Sequence, residues 1–530
     1  MNEPPAKPNA RRIFLSYGHD EHAPLARRLK QDLEARGHEV WFDEEQGRRE
    51  RSPKRGASMN GRISRRNLLR KTAAAACAMA GAASFPVPSL LADRSPNARL
   101  AVAVIGCGGR GEASLLTAAE ERLVAIADVD DARLAAAATK VSRLGARPKP
   151  FFEYRRMFDA LHKDIDAVFI ATPDHQHAPA SMAAMQLGKH VFCEKPLCHD
   201  IYQARTLAAS ARRYKVITQM GNQGHCGEGY RRLCEYLWAG AIGEVVETYS
   251  WNGFINGGTG GRPPACPAPP GLHWDEWLGP APYRDYHPGL HPLYWRYYWD
   301  FGTGALGDWG CHNLDGVLWA LQPGYPASVE CLHKTGGSDE KYPQGSIIRW
   351  EVPARGNMPA LKVHWYDGMR ANTDPSIKDE HGKMAALVPN PPPLAAELEK
   401  KYTRRFDRSF NGGGTFYVGT KGIMATGNYG NGPRIVPEEA HQAFPPPRQS
   451  IPRIKGTHFA HFIQCCKEGK PTAADFAYGA AITEFLLLGH LAIRAGVGNK
   501  VLWDGPNMRC TNLPDLNLWL RNPCRKGWEV

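Results

Sequence analysis

Gly106, Gly108 and Gly111 stand at G-x-G-x-x-G spacing directly after the apolar run Ala101–Ile105. In a strand–turn–helix unit the first glycine allows the tight turn, the second lets backbone approach a pyrophosphate, and the third lets the helix pack close to the sheet. The phosphates then rest on a helix N-terminus, where unpaired N–H groups favour negative charge. Leu123–Asp128 is a second apolar run ending in a carboxylate, 22 residues after Gly106. An acid there accepts from the ribose hydroxyls and favours NAD, because a 2′-phosphate would be repelled. Arg110, inside the loop, keeps NADP open. Asp128 has a competing structural use as a helix N-cap, which Asp130 or Asp131 could equally fill. Farther along, Asp308 and His312 are four residues apart, so a helix would put an acid and an imidazole on one face, where the carboxylate can fix the tautomer of a base. A histidine on such a face is also a common satisfied core residue.

These residues need elements to hold them. From Leu100 onward the pattern alternates strand and helix, as a parallel sheet requires. Ile165–Thr172 reads as a buried strand leading into Pro173-Asp174-His175-Gln176-His177, and Ala178–Leu187 as a helix stopped by Gly188. His190–Cys193 reads as the strand that delivers Glu194-Lys195-Pro196. A helix over about 202–213 and a strand over 215–221 close the doubly wound domain near residue 222. The second half reads differently: a helix over 229–239, a long Pro-, Gly- and Trp-rich loop over 253–298, and short strands at 327–333, 346–352, 360–365, 415–419 and 422–426. Residues 368–412 and 429–454 read as surface insertions, and helices return at 457–467 and 478–495. The expected fold is an α/β Rossmann domain, a doubly wound parallel sheet, followed by an α+β domain with a largely antiparallel open sheet.

The chain has 530 residues and a formal charge of +13. Residues 1–71 hold 17 Lys/Arg against 10 Asp/Glu, leaving 49 against 43 elsewhere, so the body is only mildly basic. It carries no motif that reads nucleic acid. The 13 cysteines include no C-x-x-C pair, which leaves neither a zinc site nor a disulfide framework to expect. No metal is assigned.

Four segments follow: 1–58, 59–96, 97–222 and 223–530. In the first, FLSYGHDE and ARGHEVWFDEE resemble the opening strand–helix–strand repeat of a bacterial TIR domain, and the rest of such a domain has no counterpart. In the second, Ser64-Arg65-Arg66-Asn67-Leu68-Leu69-Arg70-Lys71 resembles a twin-arginine export signal and precedes the uncharged stretch Thr72–Ala92. That stretch is long enough to span a bilayer, but its alanines and the prolines at 86 and 88 favour a signal over a stable span. The expectation is export to the periplasm with Met59 as the working start, and otherwise a cytoplasmic protein.

From about residue 97 onward the sequence resembles the Gfo/Idh/MocA oxidoreductases. The motifs are GCGGRG at 106–111, ADVD at 127–130, TPDHQHA at 172–178, EKP at 194–196, GNQGH at 221–225, WDEWLGPAP at 274–282 and WDFGTGALGDWGCHNLD at 299–315. The resemblance implies an NAD(P)-dependent enzyme moving hydride between a nicotinamide and a secondary alcohol of a sugar or cyclitol, and a homo-oligomer. Lys195 matches the EKP lysine, with a commonly cis Lys-Pro bond, and Asp308 and His312 match the D-x-x-x-H pair. His312 would be the base and Lys195 the electrostatic partner. Gly106, Gly108, Gly109, Arg110, Gly111, Asp128, Thr172, Pro173, His177, Glu194, Lys195 and Asn222 would line the cofactor cleft. Tyr230, Trp274, Trp295 and Arg296 are candidates for the sugar face. An NAD-dependent glycoside hydrolase of the same fold is the alternative, and a TIR-type NAD-cleaving protein a more distant one.

Overall fold

The computed structural model describes residues 99–292, 294–402 and 412–530, and the backbone of two short strands before them. The chain divides into two units, residues 1–89 and 90–530. In the first, β1 (Arg12–Leu15) and β2 (Glu39–Phe42) pair in parallel, as a strand–helix–strand repeat needs. The helix expected between them and the export-like segment 59–96 lie outside the described residues.

In the second unit a six-stranded parallel sheet comes first. Its strands are β3 (Ala101–Ile105), β4 (Arg122–Ala127), β5 (Lys149–Phe151), β6 (Ala167–Ile170), β7 (His190–Cys193) and β8 (Thr218–Met220), in the order β5-β4-β3-β6-β7-β8. The order reverses between β3 and β6, which opens a crevice at the carboxyl ends of the strands where nucleotides bind in such sheets. Every residue of β3 and β6 is buried, because both faces carry helices. One face is partly covered by helix His458–Glu468, far along the chain: Phe459 and Phe462 pack on Phe169 of β6 and Phe192 of β7. Two boundaries differ from expectation. The helix after β6 begins at Asp174 rather than Ala178, so the Asp-His-Gln-His run forms its first turn. The last strand is shorter than 215–221, because Lys215 adopts a left-handed conformation that ends the preceding helix.

The second sheet has ten strands. Eight are β9 (Val245–Asn252), β10 (Ser328–Thr335), β11 (Gly345–Val352), β12 (Leu361–Ala371), β13 (Leu387–Pro389), β14 (Gly413–Gly419), β15 (Gly422–Gly427) and β16 (Arg434–Val436). With β17 (Lys500–Asp504) and β18 (Arg509–Cys510), the order is β16-β15-β14-β9-β12-β11-β10-β17-β18, and β13 pairs with β12. Every pairing is antiparallel except β9 with β12. The sequence pattern gave no strand at β9, although it lies mid-sheet, because its inward positions include Thr248, Ser250 and Asn252 rather than an apolar series. β9 and its neighbour β14 hold helix Gly304–Asn313: Thr415 Oγ1 donates to the Asn313 carbonyl at 2.6 Å, Ser250 Oγ to the same oxygen at 3.5 Å, and Asn313 Nδ2 donates to Trp251 O at 2.7 Å. Helix Phe476–Ala495 packs behind it. This helix is long and apolar enough to cross a membrane, yet 83% of its apolar window is buried as core.

Candidate functional site

Gly106 turns the chain out of β3 with φ +84, and a Cβ there would sit 2.6 Å from the Ala171 carbonyl. Gly111 faces the same turn, where a Cβ would lie 2.0 Å from Gly106 O, so Gly111 packs the helix rather than lining the crevice. Beside this turn lies a cavity of about 510 Å³. Its wall includes Gly106, Gly108, Gly109, Arg110, Asp128, Thr172, Pro173, His177, Glu194 and Lys195, nearly the whole expected set.

Asp130, not Asp128, caps the following helix by accepting from Ala132 N and Arg133 N. Asp128 is therefore left at the end of β4, where Oδ2 accepts from Cys107 N at 2.7 Å and Oδ1 from Asp130 N at 3.0 Å. Burial raises its pKa, and those two N–H groups partly offset the effect. Arg133 borders the same corner of the cavity.

The roof is the long loop expected over 253–298, and it is pinned to the sheet domain by contacts distant in sequence. His273 N donates to Val129 O at 2.9 Å, Asp131 N to Gly271 O at 2.9 Å, and His291 Nε2 to Asp130 Oδ2 at 3.2 Å. Helix Trp274–Leu278 sets Glu276 and Trp277 into the wall, and Gln176 Nε2 donates to Glu276 O at 2.7 Å. Trp295 and Arg296, candidates for the sugar face, line this cavity. Trp274 does not: it stacks on Trp277 at 4.6 Å and donates to Arg284 O, which makes it a prop of the roof.

At the far end Lys195, whose bond to Pro196 is cis, forms an ion pair with Asp308 and also donates to the Asp308 carbonyl at 3.0 Å. Asp308 Oδ2 accepts from Asn256 Nδ2 at 2.9 Å, and Arg296 Nε lies 3.4 Å from Oδ1. Burial alone would raise the Asp308 carboxyl. Lys195 and Arg296 outweigh it and hold the group below the usual carboxylate range. Asp174, which accepts from Thr303 Oγ1 at 2.6 Å, is instead pushed up to about 6 by burial.

The geometry corrects the expected partner of His312. Asp308 is committed to Lys195, Arg296 and Asn256, and the imidazole is held by Asn222, whose Oδ1 lies 3.0 Å from Nδ1. The amide is oriented by its own Nδ2 donating to Cys311 O at 2.9 Å. Its oxygen must therefore accept, so Nδ1 carries the proton and Nε2 the lone pair. Asn222 thus sits behind the base, fully buried, and like His312 is not among the residues that line the cavity. Burial, followed by the Lys195 charge, lowers the His312 pKa well below its ordinary value. Tyr230 is also displaced from its expected place: it is fully buried, and its hydroxyl donates to His312 O beneath the imidazole.

Sequence reasoning missed the aromatic surround of His312. Tyr429, from a segment that reads as a surface insertion, packs edge-on at 4.6 Å from the imidazole, and Trp309 does so at 5.7 Å. Phe254 stacks on Trp309 at 4.9 Å with planes 7° apart and is 56% exposed. Tyr429 holds φ +61, rare for a residue with a side chain and a mark of functional sites. The signal for it was faint: Asn428-Tyr429-Gly430-Asn431-Gly432 reads as an ordinary turn.

The cavity fits a dinucleotide. Thr172 Oγ1, Gln176 Oε1 and Glu194 Oε2 are buried on its wall without a hydrogen-bond partner, and the glycine turn and Asp128 line it with them. Polar atoms so placed are costly unless a ligand pairs with them.

Comparison with known proteins follows the same outline. Residues 100–222 match the family described as oxidoreductase, NAD-binding Rossmann fold, and residues 241–335 match its C-terminal alpha/beta domain. Inositol 2-dehydrogenase 3 of Saccharopolyspora erythraea is 35% identical over 150 residues, 27% of this chain and 41% of that protein. The inositol 2-dehydrogenase of Rubrobacter xylanophilus is 32% identical over 165 residues, 30% of this chain and 45% of that protein. The matched stretch thus spans less than half of these relatives. The WlbA dehydrogenase from Bordetella pertussis, solved in complex with NADH and UDP-GlcNAcA, superposes with a TM-score of 0.51 at 16% identity, covering 76% of this chain and 99% of that one. The glycine turn and the acid closing β4 thus lie within a stretch, residues 100–222, that matches the NAD-binding Rossmann domain of the Gfo/Idh/MocA oxidoreductases, and residues 241–335 match that family's C-terminal domain.

Proposed function

We propose that the protein is an NAD-dependent dehydrogenase acting on a secondary alcohol of a sugar or cyclitol. The observation that carries this reading is a buried His312 whose Nδ1–H is bonded to Asn222, leaving the lone pair on Nε2, near Lys195, which lines the nucleotide cavity and whose charge helps burial lower the imidazole pKa. Alcohol oxidation needs a base for the hydroxyl proton and a positive group for the oxygen that loses it. His312 Nε2 takes that proton. Lys195 Nζ steadies the developing negative charge, and Asp308, itself braced by Arg296 and Asn256, holds the lysine in place. A bound nicotinamide supplies the hydride acceptor. Thr172, Glu194 and Asp128 are the residues that would hold the dinucleotide.

Phe254, Trp309 and Tyr429 suit a ring substrate, because flat apolar faces pack against the C–H face of a pyranose or cyclitol. Trp295 and Arg296 line the nucleotide cavity. Relatives named for inositol and levoglucosan supply the first substrates to try. The test is NADH formation by purified protein across cyclitols, anhydrosugars, free aldoses and glycosides, with mass spectrometry of the product. A product two hydrogens lighter, formed one for one with NADH, supports the reading. A free aglycone with no net NADH would replace it with the hydrolase. No turnover of any alcohol, with NAD bound, would remove it.

A further inference from the structure

One wall residue of the nucleotide cavity comes from the last residues of the sequence. Trp528 lines the cavity beside Glu153 and Tyr154, at the end marked by Asp128 and Phe152, and is 7% exposed. Neither family match reaches this part of the chain.

The segment that carries Trp528 is fixed at three places. Asn522 N donates to Asp200 Oδ2 at 3.1 Å, and its Nδ2 donates to His199 Nδ1 at 2.9 Å. Arg525 then grips the roof: its backbone N donates to Pro280 O at 3.0 Å, Nε to Gly279 O at 2.7 Å, and Nη2 to Asp275 O at 2.7 Å. Its Nη1 pairs with the Asp275 carboxylate. Finally the Trp528 indole docks on the sheet domain, with the Arg155 guanidinium 3.7 Å over its ring and Tyr154 edge-on at 6.2 Å. Arg155 is itself held by Glu153 at 2.8 Å.

The segment therefore ties roof to floor. Asp275 belongs to, and Gly279 caps, the short helix that sets Glu276 and Trp277 into the cavity wall, whereas Tyr154 and Arg155 open the helix after β5. Arg525 therefore opposes any lifting of the roof at the end of the cavity lined by Asp128 and Phe152. We infer that residues 522–530 are a built part of the nucleotide site: Trp528 packs against the adenosine half of the dinucleotide, and Arg525 locks the roof above it. Together they set the rate at which nucleotide leaves. The inference rests on the nucleotide cavity of the proposed function and adds its adenosine wall and its latch.

The test is NADH release from the full-length protein, followed by fluorescence after a chase with excess NAD. Trp528→Ala and Arg525→Ala should each release NADH about tenfold faster, since an aromatic wall against a base and a roof latch both act on this half of the ligand. Trp528→Phe, which keeps a ring, should fall between Ala and the unaltered protein. Reduced nicotinamide mononucleotide, which lacks the adenosine half, should bind Trp528→Ala and the unaltered protein alike. Release within twofold of the unaltered rate in both alanine variants overturns the inference. Equal weakening of NADH and the mononucleotide in Trp528→Ala overturns the adenosine contact. If the unaltered protein takes up neither probe, the nucleotide site falls and this segment's role with it; if it binds NADH and only the variants behave as unaltered, the segment's role alone falls.

Discussion

At the residue scale the central arrangement is a base held by an amide. A carboxylate against His312 Nδ1 would raise the imidazole's pKa; the neutral oxygen of Asn222 fixes the tautomer without doing so. Burial and Lys195 lower the His312 pKa, so the imidazole keeps its lone pair as pH falls through the ordinary histidine value. The acid limb of kcat/KM for alcohol oxidation should accordingly lie below about 6.5. Asn222→Asp puts a negative charge against Nδ1–H, favours the protonated ring and should move that limb to higher pH. Lys195→Ala removes a neighbouring cation and should move the limb the same way while lowering the rate. A pH–rate profile of the three proteins checks both, and an unmoved limb in Asn222→Asp would mean that the ring is held by something else. The i, i+4 spacing of Asp308 and His312 was legible in the sequence and does place both on one helix. The bond expected between them does not form, because Asp308 turns instead toward Lys195 and Arg296, which arrive from other segments.

Among the elements, helix Gly304–Asn313 owes its place to tertiary contacts. Three of its ten residues are glycine, poor helix formers, and it persists because it packs between the large sheet and helix Phe476–Ala495. Its last residue is the tie: Asn313 Nδ2 donates to Trp251 O at 2.7 Å and to Asn428 Oδ1 at 2.9 Å. Asn313→Ala leaves a buried carbonyl and amide oxygen short of a donor and should cost about 1–3 kcal/mol, read as a lower denaturation midpoint. The second bond also anchors the turn that carries Tyr429, so the same variant should raise KM for the ring substrate more than it changes NADH affinity. The parallel strands around the glycine turn were legible because both faces are apolar. β9 was hidden because its buried side chains include the hydroxyls of Thr248 and Ser250 and the amide of Asn252, and hydrophobic alternation does not register them.

For the whole molecule, motif order was sufficient to anticipate a Rossmann domain followed by a largely antiparallel sheet, since each motif sits at a strand end that the parallel topology requires. The roof over the cavity was not legible, because it is made by pairing residues such as Val129 with His273 and Gly279 with Arg525, and no local pattern encodes those meetings. Residues 1–89 form a unit of their own, while every residue assigned to the nucleotide cavity and to the His312 site belongs to residues 90–530. Removing residues 1–58 should thus leave kcat and NADH affinity within about twofold, given that uncoupled sites act independently; a larger loss in either would assign the segment a part in the enzyme.

The claim on which the rest depends is that His312 takes the substrate proton beside a bound nicotinamide. It is tested most directly by measuring, on the same preparations of unaltered protein and His312→Ala, the steady-state rate of NADH formation from the oxidised sugar and the affinity for NADH by fluorescence titration. Loss of a positioned proton acceptor should lower turnover by about 10²–10⁴-fold while NADH affinity stays within about twofold. Full turnover in His312→Ala with the nucleotide still bound would contradict the account.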